Sequence, residues 1–103
     1  PVAALSFAAL SGRQFDLVIN ATAASLAGVA PPLPEGLYAA TALAYDMMYA
    51  KHDTPFMALA RAQGAQVADG LGMLVEQAGE AFFVWRGVRP ATGPVLESLR
   101  RAR

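Results

Sequence analysis

A chain of 103 residues with 55% hydrophobic and 16% charged residues has enough apolar side chains for a core and is too apolar for a disordered segment. Eight Lys and Arg balance eight Asp and Glu, so no basic excess directs the chain to nucleic acid or an anionic membrane. There is no cysteine, hence no disulfide framework, thiolate zinc site or cysteine nucleophile, and no metal site is expected.

No apolar run approaches a membrane span. The N-terminus has no basic region followed by a cleavage signal, which gives the expectation of a cytoplasmic protein. The apolar share is high for this length, so part of that surface is expected to face a partner or a further domain. The chain starts at Pro1 without a methionine, which reads as processing or trimming.

In chain order, residues 15–21 predict a strand. Phe15, Leu17, Val18 and Ile19 form a near-continuous apolar run, as in a parallel strand covered on both faces. Residues 23–36 read as a loop, with Gly28, Pro31, Pro32, Pro34 and Gly36, in which Pro34 could open a short helical turn. The alanines of residues 38–46 favour helix by propensity. The segment is short, however, and is boxed between a proline loop and an aromatic cluster, so 41–46 is expected to be a buried strand. Thr54-Pro55 is a helix start, a capping hydroxyl followed by proline, with the helix stopping at Gly64. Residues 65–68 predict a short strand. Asp69 is then expected to cap a helix over 70–86, closed by Gly87, with Leu71, Leu74, Val75, Ala78, Phe82 and Trp85 at helical spacing. A last helix over 94–101 would present Val95, Leu96 and Leu99 on one face. Strands alternating with crossovers indicate an α/β fold with a parallel sheet.

The polar residues at strand ends are the ones that can carry chemistry. Asn20 and Thr22 close the first strand, where open parallel sheets deliver groups to a ligand crevice; an equally good reading is a polar turn bonding its own backbone. Met47 and Tyr49 follow the second strand, and from the residues alone core packing is the stronger reading. Asp46, near a helix start and backbone donors, reads as structural rather than as a general base. Gly70 and Gly72 open the long helix and allow backbone N–H groups to approach a ligand, or the helix to approach a strand. Gln77 borders the apolar face and can both donate and accept, although such a residue is commonly just exposed. His52 and Lys51, the single histidine and lysine, sit in a polar stretch with Asp53 and read as surface loop. Asp53 and Arg61 can form a surface pair. Glu76 and Glu80 are like charges one turn apart and are expected to be solvated. Arg100, Arg101 and Arg103 suit a solvated final helical turn.

Three segments together resemble the C-terminal part of the shikimate dehydrogenase family. They are Phe15-Asp16-Leu17-Val18-Ile19-Asn20-Ala21-Thr22, then Tyr45-Asp46-Met47-Met48-Tyr49 followed by Thr54-Pro55-Phe56, then Asp69-Gly70-Leu71-Gly72-Met73-Leu74 with Gln77, Ala81-Phe82 and Trp85-Arg86-Gly87. The resemblance covers nearly the whole chain. It implies the second half of a Rossmann-like parallel sheet, about three strands, with C-terminal helices. Residues 1–69 would be the later part of an NADP-binding domain, and residues 70–103 helices that return to a substrate-binding domain.

The implied activity is the NADP-dependent, reversible reduction of 3-dehydroshikimate to shikimate, in chorismate and aromatic amino-acid biosynthesis. By the same resemblance Asn20, Thr22, Met47 and Gly70 contact NADP, and Tyr49 and Gln77 contact shikimate. The family's glycine-rich phosphate loop, its 2′-phosphate grip and its catalytic lysine–aspartate pair would precede this chain. No catalytic residue is therefore expected here, and the segment alone would be inactive. Lys51 is not that lysine. Ser25 stands where the family usually has glycine, which puts the turn geometry there in question. An NAD-using quinate/shikimate dehydrogenase and a non-catalytic half-fold interaction module are the alternatives. The expected partners are shikimate or 3-dehydroshikimate, the missing N-terminal domain and, through an open sheet edge, a homodimer.

Overall fold

A computed structural model describes residues 2–102. It divides into two compact units, Pro1–Asp69 and Gly70–Arg103.

The first unit is built on three parallel strands in the order β1-β2-β3: β1 Phe15–Asn20, β2 Tyr38–Asp46 and β3 Gln66–Ala68. The fold class is thus α/β, with a three-stranded parallel sheet. β2 starts three residues earlier than expected. Its added residues pair with the start of β1 (Phe15 opposite Tyr38) before the register shifts to Leu17 opposite Leu43. From there β1 and β2 run in step to Asn20 opposite Asp46, so the two polar residues end adjacent strands side by side.

Strand periodicity divides the sheet into two faces. On one, Ala42 and Ala44 are fully buried beneath helix α1, Pro55–Ala62, with Phe56, Met57, Ala60 and Ala65. The two alanines leave room for the helix to lie close. Phe56, 2% exposed, contributes the largest apolar side chain of this core, worth about 1.5–3 kcal/mol by burial. α1 begins as expected. Thr54 accepts the Met57 amide at 3.3 Å, Pro55 takes the first turn, and Gly64 adopts a φ of +90° just past the end.

The opposite face departs from expectation. Leu17 and Ile19 are 53% and 54% exposed, so β1 is not covered on both sides. Among the described residues β1 pairs only with β2 and is an edge strand.

Two loop details also differ. Residues Ala24–Ala27 form a single 3-10 turn closed by Gly28 at φ +72°, and a second such turn lies at Ala8–Leu10. Pro34 opens no helix; a plain turn at Glu35 and Gly36 precedes β2.

The second unit holds α2, Leu71–Arg86, and α3, Gly93–Arg101. The N-cap position of α2 is Gly70, one residue after the expected Asp69, and it offers no side-chain cap. Gly87 closes α2 in the left-handed region, its N–H donating to Phe83 O at 2.8 Å. Leu71, Val75 and Gly79 are buried, one per turn. The rest of the expected stripe is open: Leu74, Phe82 and Trp85 are exposed, Trp85 to 78%. On α3, Val95 and Leu99 are exposed as well. Glu76 and Glu80 do more than sit in solvent: Thr92 Oγ1 donates to Glu76, and Arg89 pairs with Glu80 at 2.7 Å. Arg101 pairs with Glu97 at 3.2 Å, as suits a final turn; Arg103 lies outside the described residues.

Candidate functional site

The polar groups of the first unit gather where β1 and β2 end. Asn20, Asp46 and Thr54 are its buried polar residues, at 3%, 0% and 3% exposure. A buried carboxylate is tolerated only when it is hydrogen-bonded, and both oxygens of Asp46 are. Oδ2 accepts from Thr54 Oγ1 at 2.6 Å, Ser25 Oγ at 3.0 Å and Asn20 Nδ2 at 3.3 Å. Oδ1 accepts from the Met48 amide at 2.9 Å. Asp46 is structural, as its sequence context suggested.

Asn20 passes this order outward. Its Oδ1 accepts from the Thr22 hydroxyl at 2.7 Å and the Thr22 amide at 3.1 Å, the local turn that the Asn-Ala-Thr sequence favours. Thr22 Oγ1 in turn accepts the Ala24 amide at 3.3 Å. The carbonyl of Asn20 accepts the Met47 amide at 3.1 Å, which extends the strand pairing by one residue. Asn20, Thr22 and Met47 are thus brought together at the carboxyl edge of the sheet, the edge at which open α/β sheets bind ligands. Thr22 is exposed. Met47 and Tyr49 are 40% and 46% exposed, so neither is core packing.

Gly70 and Gln77 belong to the second unit. Gly70 is buried at the N-terminus of α2, its carbonyl accepting the Leu74 amide at 3.0 Å; Gln77 is exposed on the same helix. Lys51 and His52 are exposed, and Asp53 pairs with Arg61 through two hydrogen bonds at 2.9 and 3.3 Å, as expected of a surface pair.

Ser25 corrects an expectation. Among the described residues none other than glycine has positive φ, so serine fits this turn without strain; the left-handed position falls at Gly28. Its hydroxyl joins the Asp46 cluster, a role that sequence reading missed. The contact spans 21 residues, and no local pattern announces it.

A groove of about 280 Å³ runs beside β1, lined by Phe7, Leu10, Phe15 and Val18 and reaching Asn20 and Thr22 at one end. Among the described residues no three acidic or histidine side chains group as a metal site, and no helix is long and apolar enough to cross a membrane.

Residues 70–100 match the family model described as the Shikimate 5'-dehydrogenase C-terminal domain. A shikimate dehydrogenase (NADP(+)) of Aromatoleum aromaticum is 71% identical over 99 residues, covering 95% of this chain and 36% of that protein. The chain matches the C-terminal segment of the shikimate dehydrogenase family. It spans about a third of the length of these shikimate dehydrogenases.

Solved structures agree. An Ael1 enzyme from Pseudomonas putida superposes with a TM-score of 0.79 at 56% identity, over 90% of this chain and 35% of that one. The shikimate 5-dehydrogenase of Thermus thermophilus, solved in complex with NADP(H) and shikimate, gives a TM-score of 0.69 at 36% identity, over 85% and 34%.

Proposed function

We propose that this chain forms the nicotinamide and substrate side of an NADP-dependent shikimate dehydrogenase that interconverts 3-dehydroshikimate and shikimate. The observation that carries the reading is the grouping of Asn20, Thr22 and Met47 at the carboxyl edge of a parallel sheet. It is supported by 71% identity to an enzyme of that name.

In this reading NADPH supplies a hydride to the substrate carbonyl carbon. Met47 offers an apolar surface beside the nicotinamide, which orients the ring and keeps water off it. Asn20 and Thr22 line the same wall, and Gly70 allows close backbone approach. The Tyr49 phenol and the Gln77 amide hold shikimate oxygens. The proton for the new hydroxyl comes from outside this chain, whose one fully buried carboxylate among the described residues, Asp46, is engaged by donors at both oxygens. We assign the phosphate loop and the lysine–aspartate pair to preceding sequence, and the protein to the cytoplasm.

Calorimetry on the chain joined to its upstream sequence tests the assignments. NADPH and shikimate should both bind, and Gln77→Ala should weaken shikimate about tenfold, the size of one good hydrogen bond, with NADPH little changed. The opposite ranking removes Gln77 from the substrate site.

The exposed edge strand favours a second reading for the isolated chain, self-association through β1, where Leu17 and Ile19 are uncovered. A monodisperse monomer in light scattering at high concentration contradicts it.

A further inference from the structure

We infer that Asp46, braced by Ser25, is a positioning residue for nicotinamide binding; this rests on the dehydrogenase reading above. Asp46 ties together four segments around the sheet's carboxyl edge. Asn20 belongs to the end of β1, Ser25 to the 3-10 turn that follows, Met48 to the segment after β2 and Thr54 to the start of α1, and each donates to this carboxylate.

Both carboxylate oxygens are engaged, Oδ2 by three donors and Oδ1 by one, and Asp46 is fully buried. Asp46 therefore acts by holding these segments rather than by touching a ligand. Its hold reaches the ligand wall by two short routes. One runs through the Asn20 side chain, whose Oδ1 fixes the Thr22 hydroxyl and amide. The other runs through the backbone: the Met47 amide is tied to Asn20 O and the next amide to Asp46 itself, so Met47 is anchored at successive peptide groups.

Ser25 is the peripheral member of the cluster. It is partly exposed, and its hydroxyl lies 3.0 Å from Oδ2. Glycine at this position would leave the turn at Ala24–Ala27 without this side-chain tie to the strand ends. Ser25 thus tunes how firmly the wall is held while leaving the sheet itself intact.

The test is steady-state kinetics on the full-length protein with Ser25→Ala, Ser25→Thr and Asp46→Asn. Loss of one hydrogen bond to a charged group should raise KM for NADP+ about fivefold in Ser25→Ala. KM for shikimate should stay within about twofold, since no hydrogen bond of this brace ends on the Tyr49 side chain. Ser25→Thr, which keeps the hydroxyl, should restore the wild-type KM. Asp46→Asn puts a donor among donors and should raise KM for NADP+ further; should that variant fail to fold, the two Ser25 variants decide alone.

An unchanged KM for NADP+ in Ser25→Ala, a parallel rise for both substrates, or failure of threonine to rescue overturns the inference and leaves the dehydrogenase reading standing. A wild-type protein that neither binds NADPH nor oxidises shikimate overturns both.

Discussion

The Thr54 hydroxyl donates to Asp46 Oδ2 at 2.6 Å and accepts the Met57 amide at 3.3 Å, so one side chain caps α1 and ties that helix to the end of β2. Both contacts are buried, and losing either leaves a polar group without water to replace its partner. Thr54→Val keeps the shape and removes both. It should destabilise the protein by about 2–3 kcal/mol, the sum of a lost cap and a weakened buried carboxylate, measured by urea unfolding. Thr54→Ser should stay close to wild type. A destabilised Thr54→Ser beside a Thr54→Val close to wild type would mean that the threonine methyl, rather than the hydroxyl, matters.

Gly79 lies mid-helix in α2, where alanine would ordinarily gain up to about 1 kcal/mol. A Cβ there would stand 2.8 Å from Thr92 Cγ2, and Thr92 is held by its hydroxyl on Glu76. Gly79→Ala should therefore destabilise, and adding Thr92→Ser, which deletes the methyl, should recover the loss. Gly72, with no atom within 4 Å of the added methyl, should accept alanine at no cost. Thermal unfolding of the three variants decides; a stabilised Gly79→Ala would contradict the close packing.

Hydrogen bonding to Arg61, and its charge, hold the Asp53 carboxyl below the usual carboxylate range. A folded pKa below the unfolded one gives stabilisation that is present above the ordinary carboxylate pKa and lost as pH falls through the depressed one. Asp53→Asn should thus be slightly less stable than wild type near neutral pH, and the two should converge as the pH falls through the depressed carboxyl pKa, below the ordinary carboxylate range. The difference is small because the pair is exposed. Unfolding curves across that range would show no convergence if the pair contributed nothing through charge.

Most elements were legible because their signals are local. The Thr54-Pro55 start, the glycines at 64 and 87, and the alternation of strand and crossover each depend on neighbours within one turn or one strand. What failed was non-local. Propensity could not show that residues 38–40 join β2, because only pairing with the start of β1 makes them strand. The apolar run of β1 and the stripe through Trp85 suggest burial, but Leu17 and Ile19 stay about half exposed and Trp85 is 78% exposed. The site divides the same way. The Asn20–Thr22 turn follows from a three-residue pattern, whereas the bond from Ser25 to Asp46 joins residues 21 apart and needed the fold to be seen.

The central claim is that this chain is the nicotinamide and shikimate side of a working dehydrogenase. It is tested most directly by following shikimate-dependent reduction of NADP+ by the chain joined to its upstream sequence, with quinate and NAD+ in parallel. The account predicts turnover with shikimate and NADP+ above every other pairing. No turnover with shikimate or quinate, from a folded protein and with either nucleotide, would contradict it.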